Sequence, residues 1–205
     1  MRIVISALLL CLSLASCDLF STRTPDPPDV GSTFFWTAAG TPNTLLENFK
    51  GALQVADAAN YAKCFLSPHD TATTPAVYTF TPRPGLDATS KLVFDGWNTQ
   101  SEQNFLTKLR SSLVTNPRLE VTITNLQINQ SNATVATLQA NYSVAFPLPP
   151  NSTLPESISG SLIFDMRFVT IEGGTQEWRI INWIDDVQAS NPQKTFTDLK
   201  VQLAS

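Results

Sequence analysis

His69 and Asp70 are the first neighbours in this chain that could move a proton, since an imidazole beside a carboxylate can act as a general base. They stand in Ser67-Pro68-His69-Asp70, a loop that ends a helical stretch, with no candidate nucleophile close by in sequence. A structural or surface role is the expectation for them. Cys64 would be a nucleophile only as a thiolate. Its helical spacing beside Tyr61 and Phe65 reads instead as a small buried hydrophobe. Asp165, Glu177 and Asp185 could serve in acid–base work. Period-two alternation places them, with Arg167 and Arg179, on the face opposite the apolar residues, where cross-strand charge pairing is expected. One histidine, one cysteine beyond residue 17 and no acidic cluster at ligand spacing predict no metal site. No glycine-rich phosphate loop is present, and no cofactor is expected.

Cys17 is a different kind of residue. Residues 3–14 form an apolar run of 12 after Met1-Arg2, too short for the roughly 20 residues that span a bilayer but suited to a signal-peptide core. The run ends in Leu14-Ala15-Ser16-Cys17, which resembles the bacterial lipobox. That resemblance implies cleavage after Ser16, thioether lipidation of Cys17 and acylation of the new amino terminus. Two or three chains anchor stably where one does not, so the expected location is the bacterial cell envelope, as a membrane-anchored lipoprotein. Cys11 leaves with the signal and Cys17 carries lipid, so Cys64 has no partner for a disulfide.

The 205 residues are 42% hydrophobic and 15% charged with net charge −4, which excludes a basic nucleic-acid binder and an acidic disordered chain. The expected organisation is a signal peptide over 1–16, a lipidated cysteine and proline-rich tether over 17–40, and one domain over 41–205. Pro25, Pro27 and Pro28 stiffen the tether. Phe34-Phe35-Trp36 within it could touch the membrane interface or pack on the domain, and packing is favoured.

The elements that must position any site follow from periodicity. Thr41-Pro42 caps a helix with Leu45, Leu46, Phe49 and Leu53 on one face, and Asp57 caps a short second helix. Residues 77–80 and 91–94 read as short strands. Thr99-Gln100-Ser101-Glu102 reads as a capping box, with Glu102 reaching back to the helix start, before Phe105, Leu106, Leu109 and Leu113. After residue 118 the period changes to two, with a bulge predicted at Asn125. Leu138, Tyr142 and Val144 line one face of a strand. Leu162, Phe164 and Met166 line the next, and Trp178, Ile180, Asn182 and Ile184 the last. Residues 195–203 form a short closing element. The expected class is α+β, three N-terminal helices packed on a curved, mainly antiparallel sheet.

This order resembles the nuclear transport factor two-like (SnoaL-like) superfamily of cystatin-like cones, carried by Leu45 to Phe65, Trp97 to Leu113, Leu119 to Phe146 and Glu177-Trp178-Arg179-Ile180-Ile181-Asn182-Trp183-Ile184-Asp185. The resemblance implies a cone with an inner pocket. Some relatives are enzymes, such as ketosteroid isomerases and polyketide cyclases, while others only bind, so the fold does not decide function. Alternation makes Tyr142, Asn182, Trp178 and Phe164 the candidate pocket lining, with no strong base among them. Ile163, Ile181 and Trp183 fall on the outer face and suggest a contact surface, a homodimer among the options. The first reading is a lipid-anchored envelope protein whose non-catalytic cone binds a small apolar ligand or a protein partner. The alternatives are a pocket enzyme of the isomerase kind and a self-associating structural component.

Overall fold

The computed structural model describes residues 34–72, 75–188 and 193–204. The signal segment, Cys17 and the tether up to residue 33 lie outside the described residues. Helices α1 (Pro42–Gln54) and α2 (Ala58–Ala62) come first, then β1 (Thr79–Thr81), α3 (Ala88–Leu92) and α4 (Thr99–Ser111). Four long strands follow, β2 (Glu120–Asn132), β3 (Val135–Ala145), β4 (Ser157–Thr170) and β5 (Gln176–Asp186), and then α5 (Phe196–Ala204). The sheet order is β1-β5-β4-β3-β2, antiparallel except that β1 pairs parallel to β5. The α+β class with helices on one sheet face is as the periodicity predicts, and the curvature of the sheet is as the resemblance implies.

The caps form where the sequence puts them. The Thr41 hydroxyl accepts from the Thr44 N–H at 3.1 Å, and Asp57 accepts from the Asn60 N–H at 3.0 Å. Pro42 occupies the first turn of α1, where its missing N–H costs nothing. Asn125 takes a left-handed backbone (φ 52°) at the register shift between Thr124 and Gln127, the predicted bulge.

Three local expectations change. Residues 88–92 are helical, not strand, because Asp87 caps them by accepting from the Ser90 N–H at 3.0 Å. Helix α4 starts one residue earlier than the capping-box reading. Asn98 is its cap, with Ser101 as the reciprocal partner, and the Thr99 hydroxyl donates to the Leu66 carbonyl at 2.7 Å. The third change lies in β5. Asp165 pairs with Asn182 but the next β4 residue, Met166, pairs with Ile180, so Ile181 is the extra residue of a bulge. A single inserted residue reverses the phase of everything after it. Trp178 and Ile180 face the core as predicted, and beyond the bulge Trp183 and Asp185 face inward in place of Asn182 and Ile184.

The core lies between the inner sheet face and the helices. Phe49 of α1 meets Phe164 at 5.1 Å and Trp183 at 5.7 Å between ring centroids, both edge-on. Leu106 and Leu109 of α4 are fully buried. Phe34 and Trp36 pack on the domain while Phe35 is 81% exposed. The ring of Phe34 lies against Gly51, a contact that leaves no room for a Cβ there.

Candidate functional site

The inner end of the cone holds two carboxylates, both fully buried. Glu102 projects from the first turn of α4 into the core. Its Oε1 accepts from the Tyr78 hydroxyl at 2.6 Å, the Trp97 indole N–H at 2.8 Å and the Lys200 ammonium at 2.6 Å, and its Oε2 accepts from the Tyr61 hydroxyl at 3.2 Å. Lys200 comes from α5 and is itself fully buried. Its Nζ stands 3.5 Å from the ring centre of Phe80 and 3.9 Å from that of Trp183, with Trp97 and Phe105 at 5.1 and 5.5 Å. Burial pulls the Lys200 pKa down from 10.5 to about 8, against the opposing pull of Glu102.

Asp185 is the second hub. Its Oδ1 accepts from the Tyr142 hydroxyl at 2.6 Å, and its Oδ2 accepts from the Thr197 N–H at 2.7 Å and hydroxyl at 2.6 Å. The Tyr142 oxygen in turn accepts from the Phe196 N–H at 3.0 Å. Two otherwise orphaned donors at the start of α5 are thus met by the sheet, with a negative charge at the positive end of the helix. Burial raises the Asp185 pKa, while bonds from Thr197 and Tyr142 pull it back. Burial, with the nearby carboxylates, also pushes the phenols of Tyr61, Tyr78 and Tyr142 well up. Gly160 makes the Tyr142 geometry possible. A Cβ there would stand 2.7 Å from the Tyr142 hydroxyl and 2.5 Å from the Asp186 carbonyl.

Helix α5 therefore closes the cone. Phe196 packs on Trp183 at 4.9 Å and on Tyr142 at 4.8 Å. Outside, Arg83 grips Asp198 through two bonds of 3.0 and 2.7 Å. The space that a hollow cone would leave open to a ligand is occupied by Trp183, Phe196 and Lys200.

The candidate residues fall on both sides of this interior. Tyr142, Phe164 and Trp178 are buried on the inner face. Asn182 is outside, where it donates to Asp165 at 3.1 Å and accepts from the Thr79 hydroxyl at 3.0 Å. Trp183 is inside, not part of the outer surface, for the same reason: the bulge at Ile181. Ile163 and Ile181 remain half-buried on the outer face, with Ile163 paired to Ile184. Asp185 is inside and not among the outer charge pairs. Asp165 remains outside, while Glu177 and Arg179 pair at 2.8 Å with Asp70 at 3.7 Å from the same guanidinium. Trp36 lies over Arg179 at 5.7 Å, so the segment before α1 covers that end of the outer face. His69 is exposed, and its N–H donates to the Ser67 hydroxyl. Cys64 is buried, with its pKa pushed up by that burial.

Glu102 and Lys200 were open to discovery by spacing. Glu102, Phe105, Leu106 and Leu109 lie at i, i+3, i+4 and i+7, and so do Phe196, Leu199, Lys200 and Leu203, which puts each charged residue on an apolar helix face.

No family model and no curated protein matches the chain. Solved structures resemble it at low identity. An NTF2-like protein of unknown function in nutrient uptake from Rhodospirillum rubrum matches with TM-score 0.46 and 11% identity over 72% of this chain and 98% of that one. An NTF-2 like protein of unknown function from Shewanella oneidensis gives 0.44 and 12% over 70% and 94%. A ketosteroid isomerase-like protein from Erwinia carotovora gives 0.44 and 10% over 70% and 91%. The likeness concerns the fold alone.

Proposed function

We propose that this chain is a lipid-anchored protein of the bacterial envelope whose cone domain works by binding and carries out no acid–base catalysis. The observation that carries the reading is the state of the two interior carboxylates. Each is fully buried and surrounded by donors of the chain itself. A general base must come within about 2.6–3.2 Å of the proton it takes, or reach it through one water. Among the described residues, Glu102 and Asp185 meet that distance with Tyr61, Tyr78, Trp97, Lys200, Tyr142 and Thr197. The anchor rests on the resemblance of Leu14-Ala15-Ser16-Cys17 to a lipobox.

A filled interior favours a protein partner over a small apolar ligand inside the cone. The surface we assign to it is the outer sheet face around Ile163, Ile181 and Ile184, where uncharged Gln139 lies opposite Ile163. The test is a photo-crosslinking residue placed at Ile163 or Ile181 in the full-length chain in bacterial cells, with Lys91 as the control position. A discrete adduct from the outer-face positions, absent from the control, is expected. A band of twice the monomer mass would identify the partner as a second copy. No adduct above the control, or measurable turnover that Asp185→Asn abolishes without unfolding the domain, would overturn the reading.

A further inference from the structure

The surroundings of Lys200 have the composition of a cation receptor. Four aromatic rings and one carboxylate converge on a single ammonium, and the whole side chain is buried. Aromatic faces attract desolvated cations through their quadrupoles, and rings arranged as a cage recognise alkylated ammonium groups. Every wall of this cage comes from outside α5. Phe80 is in β1, Trp97 precedes α4, Phe105 lies within it, Trp183 is in β5, and Glu102 is already held by Tyr61, Tyr78 and Trp97 without help from the lysine. The walls belong to other elements, with Trp183 and Phe105 also packed on Phe196 of α5. A surface cleft of about 220 Å³ between α4 and α5 reaches the same place, bounded by Val93, Trp97, Asn104, Phe105 and Leu203, with Lys200 at its inner wall.

We propose that Phe80, Trp97, Trp183 and Glu102 form a binding site for a linear primary alkylammonium group, held in this structure by the chain's own Lys200. An incoming alkylammonium replaces Lys200 ion for ion, so no net charge is buried or released. Glu102 keeps its counter-ion, and the aromatic rings keep their cation. The exchange requires Lys200 to swing out with α5, which is also tied by Asp185 and Tyr142, by Arg83 to Thr197 and Asp198, by Lys108 and Gln202 near its end, and by the packing of Phe196 on Trp183, Tyr142 and Phe105. The site does not depend on the lipid anchor or on an outer-face partner, so failure of either of those leaves it standing.

The experiment uses n-propylammonium chloride against equal sodium chloride and against n-propanol. Its four heavy atoms are those that Lys200→Ala removes. In the wild-type chain, n-propylammonium is expected to speed amide exchange over 196–204 and leave the central strands β3 and β4 unchanged. Lys200→Ala is expected to bind it at least tenfold more tightly, read as a rise in Tm, since no side chain has to be displaced. Glu102→Gln is expected to remove both responses, and n-propanol to produce neither. If Lys200→Ala does not fold alone, folding that appears only with n-propylammonium is the same result. Unchanged exchange in the wild-type chain would overturn the proposal, even with rescue of Lys200→Ala, which would then report an engineered cavity only. A response to n-propanol equal to that of n-propylammonium would overturn it as well.

Discussion

Replacing Glu102 by Gln keeps the side-chain shape and removes the charge on which the interior is organised. Three bonds from Tyr78, Trp97 and Lys200 to Oε1 lose their charge assistance, and the new amide presents donors to donors. Breaking a buried ion pair from one side costs about 3–5 kcal/mol. Here the loss has a ceiling, because Lys200 can shed its proton. With a folded-state pKa of about 8, ionisation of Lys200 contributes only about 1 kcal/mol at pH 7 over the neutral form. The weakened hydrogen bonds add about 1–2 kcal/mol more, so about 3 kcal/mol is expected at pH 7. The sign of the pH dependence follows from linkage. The folded-state pKa lies below the ordinary 10.5. Between those values the unfolded chain holds a proton that the folded chain has released, so wild-type stability rises from pH 8 toward 10. Without Glu102 the Lys200 pKa falls further and its rise begins below pH 8. The gap between the two proteins should therefore narrow by up to about 1.4 kcal/mol per pH unit below pH 8, and hold constant above it. Urea titrations from pH 6 to 9.5 read both quantities. A loss under 1 kcal/mol at pH 7, or a gap independent of pH, would refute the buried pair.

Further outcomes follow from the same structure. Leu109→Ala and Phe164→Ala should each lower stability by about 2–5 kcal/mol, read as a fall in urea midpoint, since both side chains are buried in the core. Gly160→Ala should displace the Tyr142 ring and lower Tm; an unchanged Tm would contradict the close approach. Above pH 10 stability should fall, because Tyr61, Tyr78 and Tyr142 keep protons that the unfolded chain has lost, and circular dichroism across pH 9–11 reads the turnover. Cys17→Ser should leave the chain uncleaved or free of the membrane fraction, as read by fractionation and intact mass, whereas normal processing and retention would contradict lipidation.

Local signals in the sequence carried the fold where one force dominates. Thr41, Pro42 and Asp57 fix helix starts because a cap needs only its own neighbours. The alternation in β3 and β4 fixes their faces because each is paired on both sides and their shared register runs without a shift from Val135 opposite Arg167 to Ala145 opposite Ser157. The interior was harder to read for two physical reasons. The four residues Thr99-Gln100-Ser101-Glu102 look the same whether the glutamate folds back on its helix or turns into the core. Distant partners, Tyr78 and Lys200, decide between them. The bulge at Ile181 leaves no mark on the alternation of Trp178, Ile180, Asn182 and Ile184. It is favoured because it buries the indole of Trp183 and points Asp185 at the start of α5. The cost appears at Trp183, whose indole N–H has no hydrogen-bond partner among the described residues.

The interior of the cone is filled by a lysine held among aromatic rings. Nitrogen-15 NMR of the lysine side chains tests it most directly. One slowly exchanging Lys200 ammonium is expected, titrating near pH 8, with proton–proton contacts to the rings of Phe80 and Trp183. A Lys200 signal that titrates near 10.5 and exchanges as freely as exposed lysines would contradict it.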